Sequence, residues 1–350
     1  MKTEVVLPPL GVPPERRPTL AKLPRRLAGC PRRGAGTVKV TPGLFAIALG
    51  FEGLSGAWRA ASRADHPLSE VADMIALTSA VLLLALVLPW TVQLLRRQDD
   101  LLAQLRDPAA GPSVPVAVFT AMLLSVTLVP VAGATGRALV AMFAILTLIL
   151  CLAVVAGWIL GRLPLRDYNP SFFLATVGGT MITAQGVTVL GWTGLAQALL
   201  VLGLAAWLVL GAITGVRLVR GPKLPPPLQT TLVLELAAPA LAGNTYVVVF
   251  GRYDAAAITL ALATILMAAV QLVLIPAYRR VWFNPGFWSF AFTYATAATL
   301  ALGWTEHEHP AGALIWQWLI LGLVTTLVLV LTVRSVLALR QGGFLSHKPQ

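Results

Sequence analysis

Glu52 and Glu235 are the acidic residues placed at membrane depth by the apolar stretches around them, 42–61 and 228–250. A carboxylate there costs on the order of 2.5–3.5 kcal/mol on insertion scales, so such a residue marks a candidate functional site. Two chemistries suit it. An arginine can neutralise it, and Arg59 lies two helical turns from Glu52 on the same face. Alternatively, the carboxyl binds and releases a proton while a substrate passes. Both roles stay open on the sequence.

Other ionisable groups carry less chemistry. Glu306-His307-Glu308-His309 offers metal ligands and a histidine that senses acid, but a short alternating tract fixes no coordination geometry. It reads as a solvated outer loop. Asp99-Asp100 follows Arg96-Arg97-Gln98 and lacks the second acidic motif that holds Mg²⁺ around a diphosphate; helix-end charges explain it better. Cys30 and Cys151 fall in a tail and an apolar stretch, so no disulfide framework or metal site is expected. There is no GxxxxGK[ST] phosphate loop. The pattern calls for no cofactor and no metal. Arg59, Arg137 and Arg252, with Arg63, fall at outer helix ends. They form either an electropositive vestibule for anions or snorkelling headgroup anchors.

These residues need apolar elements to hold them. Of 350 residues, 57% are hydrophobic and 11% charged, against about 25% charged in a typical soluble domain. The expected fold is an all-α integral membrane protein. Stretches long enough to span recur at 42–61, 68–92, 113–133, 136–160, 169–191, 193–217, 228–250, 255–277, 285–304 and 311–337. The connection near Gly133–Gly136 is very short. Before them, residues 1–41 form a basic, proline-rich segment without a compact apolar core. It reads as a disordered cytoplasmic tail whose Arg16-Arg17, Arg25-Arg26 and Arg32-Arg33 pairs suit anionic headgroups. The membrane domain is 42–340 and a second cytoplasmic tail is 341–350.

Charge orients these spans. Of the 26 Lys and Arg, 22 fall in the tails and alternate loops; only Arg59, Arg63, Arg137 and Arg252 lie opposite. Ten spans with both ends cytoplasmic satisfy the positive-inside rule, and an odd number scrambles it. The same split accounts for the net charge of +12 without a nucleic-acid partner. Short outer connections pair the spans into five tandem hairpins.

Alternate spans differ in kind. The first carries Gly43, Gly50, Gly53 and Gly56; the third Pro130; the fifth Gly178-Gly179, Thr180, Thr183 and Gln185. The seventh carries Pro239, Gly243, Asn244 and Thr245, and the ninth Ser289, Thr293, Tyr294, Thr296 and Thr299. Even-numbered spans are uniformly aliphatic, as at 81–88 and 199–210. Small and polar residues belong where helices approach closely or line a wet cavity, and aliphatics suit lipid. The expectation is an inner ring of odd helices around a central pore, with even helices outside.

Pro42-Gly43-Leu44-Phe45-Ala46-Ile47-Ala48-Leu49-Gly50, continuing to Ala57-Trp58, resembles the first helix of the tellurite-resistance/dicarboxylate transporter (TDT) family. That family includes TehA-type proteins, fungal malate permeases and plant slow-type anion channels. Asn169-Pro170-Ser171-Phe172-Phe173-Leu174, Ala237-Ala238-Pro239-Ala240 and Phe287-Trp288-Ser289-Phe290-Ala291-Phe292 agree in order, and the resemblance covers roughly residues 40–340. It implies five helical hairpins in quasi-fivefold arrangement, a homotrimer with one pore per protomer, and a phenylalanine gate on the ninth helix. The matching residue is Phe292, with Phe290 one step away. Thr293 and Leu174-Ala175 stand where relatives often carry proline, so less kinking is expected there.

An aromatic ring across a narrow pore imposes a dewetting barrier; packing between helices is the plainer role for Phe292. The expected function is passage of small anions across a bacterial-type inner membrane, as an anion channel or a C4-dicarboxylate or tellurite-resistance-type transporter, without enzymatic chemistry. Pore lining or coupling falls to Glu52, Glu235, Thr183, Asn244, Thr293 and Thr296. A proton-coupled dicarboxylate carrier using Glu52 or Glu235 is the alternative. A polytopic enzyme acting on lipid-linked substrates needs clustered ionisable residues, and here they are scattered singly.

Overall fold

The structure is a computed structural model that describes residues 40–62, 67–161 and 163–341. The proposed tail with Cys30, together with Arg63, Arg162 and residues 342–350, lies outside the described residues. Among those described, every regular element is helical. The ten principal helices are α1 (Phe45–Ala61), α2 (Pro67–Leu95), α3 (Val114–Ala132), α4 (Ala134–Leu160) and α5 (Gly179–Val189), followed by α6 (Thr193–Arg220), α7 (Leu234–Phe250), α8 (Ala255–Tyr278), α9 (Trp288–Glu308) and α10 (Ala313–Arg340).

Seven helical segments are long and apolar enough to cross a membrane: Leu68–Leu95, Gly111–Ala132, Ala134–Leu160, Thr193–Arg220, Pro226–Phe250, Ala255–Tyr278 and Ala313–Arg340. The protein is therefore multi-pass. α1, α5 and α9 fall outside this set because they are shorter or more polar. Apolar length alone thus supports fewer crossings than the ten expected.

Packing separates two kinds of helix. α1 packs against α3 and α9, α3 against α5, α5 against α7, and α7 against α9, so these contacts run in a closed circuit. α2 leans on α1 and α3, α4 on α3 and α5, α6 on α5 and α7, α8 on α7 and α9, and α10 on α9 and α1. Small residues allow the closest approaches. A Cβ on Gly50 of α1 would lie 2.7 Å from Ala291 Cβ on α9. Side-chain bonds fix the register: Trp58 Nε1 donates to Thr325 Oγ1 at 3.1 Å, and Trp288 Nε1 to Ser335 Oγ at 2.9 Å.

Local chemistry explains the breaks. α3 and α4 are separated by Gly133 alone, whose φ of 50° favours glycine. Gly136 then packs so closely on α3 that a Cβ would lie 2.9 Å from Val129 Cα. This is how so short a connection between two long helices closes. Before α5, residues Leu174–Gly178 form a π-helical turn. The helix is locally widened there although it carries no proline. The acidic–histidine tract is not a loop: Glu306, His307 and Glu308 complete the last turn of α9, and His309 ends it with φ 45°. The αL conformation at His309 closes the helix, with its N–H donating to Thr305 O at 3.2 Å.

Candidate functional site

The helices of the closed circuit enclose a cavity of about 270 Å³. α1 supplies Glu52, Gly53 and Arg59, α5 supplies Gln185, α7 Asn244, and α9 Phe292 and Thr296. Phe292 also borders a second, tight cavity of about 20 Å³, between Leu49, Ser113, Leu174, Trp288 and Ser289. Phe292, only 6% exposed, is thus shared by the walls of both cavities. Phe290 lines neither. It packs edge-on to Tyr278 at 4.9 Å and stacks on Phe287 at 5.6 Å.

The wall combines an acid with amides. Glu52 is buried, and its Oε2 has no hydrogen-bond partner. Arg59, also on the cavity, turns away: its Nη2 meets Asp73 Oδ1 at 2.9 Å. Among the described residues Glu52 and Arg59 make no direct ion pair: the guanidinium bonds Asp73 of α2 and acts on Glu52 only through space. Asn244 Nδ2 donates to Thr296 O at 2.8 Å, and Gln185 Nε2 to Thr245 Oγ1 at 2.8 Å. Thr296 Oγ1 donates back to Phe292 O at 2.8 Å, which ties the backbone of α9 at that ring. Each amide retains hydrogen-bonding capacity beyond the one bond named.

The remaining expected residues are elsewhere. Glu235, in the first turn of α7, lines neither cavity; its Oε1 is buried without a partner, and it is electrostatically coupled to Tyr278 of α8. Thr183 and Thr293 are buried and absent from both cavity walls; Thr183 Oγ1 donates to Gly179 O at 2.6 Å. Arg137 Nη2 bonds Leu190 O at 3.1 Å, and Arg252 lies 5.3 Å over the Phe250 ring. Of Arg59, Arg137 and Arg252, only Arg59 lines the larger cavity.

One end of the larger cavity is built from residues that nothing in the sequence singles out. Tyr253, Val247 and Gly303 line the larger cavity and also a vestibule of about 500 Å³ that includes Glu306, His307 and His309. The His307 ring stacks on Tyr253 at 4.2 Å and 11°. Beside them Asp254 caps α8, accepting from Ala256 N at 3.0 Å and Ala257 N at 3.3 Å. Tyr246 donates to its two carboxylate oxygens at 2.9 and 2.7 Å, and this bond first of all holds the Asp254 carboxyl below its ordinary range. No signal distinguished Tyr253 from any other loop tyrosine. Gln185 was visible as a polar residue in an apolar stretch.

Among the described residues, no group of three or more His, Cys, Asp or Glu is arranged to hold a metal ion. The larger cavity is mostly apolar, with Glu52, Gln185 and Asn244 among its few polar groups, and Phe292 borders both it and the tight cavity.

Comparison with known proteins agrees with the chemistry. A family model described as voltage-dependent anion channel matches residues 39–338. The chain is similar to the guard cell S-type anion channel SLAC1 of Arabidopsis thaliana, with 26% identity over 191 residues. That segment is 53% of this chain but 34% of the plant protein, so the chain matches about a third of that relative's length. The family match covers the whole helical domain, and the chain belongs to the voltage-dependent anion channel family of TDT-type channels and transporters.

Proposed function

We propose that this protein passes small anions across a bacterial-type inner membrane along the axis enclosed by α1, α3, α5, α7 and α9, with Phe292 as the gate. The observation that carries the proposal is the position of Phe292 on the wall of both cavities. A ring in a narrow, dry passage raises a dewetting barrier that ions do not cross until it moves. On this reading all ten helices cross the bilayer as five hairpins, both ends are cytoplasmic, and the tight cavity faces inward. The working assembly is a homotrimer with one pore per protomer. Arg59 draws anions toward the mouth, and the amides of Gln185 and Asn244 replace part of their hydration.

The test is anion current through purified protein in liposomes, with chloride, nitrate, sulfite and malate substituted in turn. Phe292→Ala raises the current for every anion that the wild type passes. An unchanged current removes Phe292 as the gate, and no current for any anion removes the channel.

One observation favours a second reading. Glu52 lines the larger cavity with a buried, unpartnered oxygen, so it is placed to exchange a proton with a passing substrate. In a proton-coupled dicarboxylate carrier, uptake collapses with the pH gradient and Glu52→Gln abolishes it. In a channel, flux follows voltage and the anion gradient, and Glu52→Gln retains it. Glu235 lines neither cavity, so Glu52 is the carboxylate on which this reading rests.

A further inference from the structure

We infer that Gly53 of α1 is a positioning residue for the Phe292 ring: the missing side chain at Gly53 is the seat that holds the gate in its blocking position. This rests on the gate proposed above and deepens it. Both residues line the larger cavity on adjoining helices. A Cβ built on Gly53 would lie 3.2 Å from Phe292 Cδ2, 3.1 Å from Ala295 Cβ and 3.5 Å from Phe292 Cα.

These three neighbours differ in how far they can yield. Ala295 has no rotamer, and Phe292 Cα is backbone. The backbone at Phe292 is held by Thr296, which donates to Phe292 O at 2.8 Å. One turn earlier α1 is already pressed on α9, since a Cβ on Gly50 would sit 2.7 Å from Ala291 Cβ and 3.1 Å from Trp288 Cε3. One turn later the fit loosens, and a Cβ on Gly56 would meet only Thr299 Oγ1, at 4.0 Å. Among these contacts, the group free to move is the Phe292 ring, by rotation about χ1 and χ2. Close-packed interiors pass such a displacement to the softest torsion. A methyl on residue 53 therefore unseats the ring while leaving it on the path, and the seal between the two cavities leaks.

The experiment compares Gly53→Ala, Phe292→Ala and the double variant in reconstituted liposomes, with Gly211→Ala of α6 as a control that has open space around it. Gly53→Ala is expected to raise anion current toward the Phe292→Ala level. The double variant should be no higher than Phe292→Ala alone, because the seat has no effect once the ring is gone. Additive increases overturn the inference, as does a Gly53→Ala current at or below wild type. If Gly53→Ala fails to fold, recovery of monodisperse protein in the double variant supports the ring as the group displaced. No recovery assigns the clash to Ala295 and overturns it. The proposed gate fails separately, when Phe292→Ala alone leaves the current unchanged.

Discussion

At the scale of single residues, a side chain's depth in the bilayer and its rotation about the helix are different facts, and only depth is written in hydropathy. Glu52 and Glu235 are alike in sequence, yet Glu52 faces the larger cavity and Glu235 faces neither. The two should therefore separate in function. Glu235→Gln is expected to leave the anion selectivity of reconstituted protein as it is, while Glu52→Gln changes the permeability ratio between chloride and malate; equal effects would contradict the geometry. Asp254 gives a second residue-level expectation. The Tyr246 hydroxyl lowers its pKa in the folded protein, so its contribution to stability is present above the ordinary Asp value of 3.8 and is lost as pH falls through the lower folded value. Melting temperature in detergent should therefore drop for Asp254→Asn near neutral pH, and the gap to wild type should close in acid. A gap that persists below the folded pKa would assign the loss to the cap geometry alone. The Arg252 partner, 3.7 Å away and 62% exposed, should matter little by comparison.

At the scale of elements, the close approaches are set by glycine, and they predict specific pairwise rescues. Gly179, at the start of α5, sits directly under Cys151 Sγ of α4, so that an added Cβ would overlap the sulfur, whereas Cys151 Cβ would be 3.5 Å away. Gly179→Ala should thus destabilise by about 1–3 kcal/mol as an overpacked core site. Cys151→Ala should restore most of that loss, because the remaining contact is ordinary; a double variant as unstable as Gly179→Ala would refute the account. Packing of this kind was partly legible beforehand. Gly50, Gly53 and Gly243 marked helices that touch several others, and the aliphatic runs at 81–88 and 199–210 marked helices left largely exposed. The π-helical turn at Leu174–Gly178 was not legible, since neither proline nor a polar insertion announces it. Nor was the helical state of Glu306–Glu308, where charge suggested a loop but α9 continues until His309 takes the αL conformation. Tyr253 joins the site through a fold of the chain between α7 and α8, and nothing local predicts which way a loop tyrosine turns.

At the scale of the whole molecule, the number of crossings decides which side each loop faces, and two counts compete. Seven segments pass on apolar length; α1, α5 and α9 do not. Those three lie in the closed circuit, each touching two others of it, and two even-numbered helices lean on each. A helix so surrounded need not be apolar, because neighbouring helices take the place of lipid and polar side chains are satisfied within the bundle. Thr296, Thr299 and Thr305 of α9 each donate to the carbonyl four residues back, at 2.8, 2.9 and 2.8 Å. Length is not an obstacle for α1. The 17 residues of α1 rise about 26 Å, close to the hydrocarbon core of about 30 Å. Low hydropathy in these three is what a central position in a ten-crossing bundle would produce. An even count of ten keeps residues 41 and 341 on one side, whereas seven would place them on opposite sides. Single cysteines settle this in a background of Cys30→Ser and Cys151→Ala. Under ten crossings, Thr41→Cys, Gln98→Cys and Gln341→Cys react with a membrane-impermeant maleimide only in inside-out vesicles, and His309→Cys reacts only in right-side-out vesicles. Labelling of Thr41→Cys and Gln341→Cys from opposite faces would exclude the even count. With the seven crossings that apolar length selects, α1 and α9 would not traverse the bilayer, and the proposed path beside Phe292 would be lost.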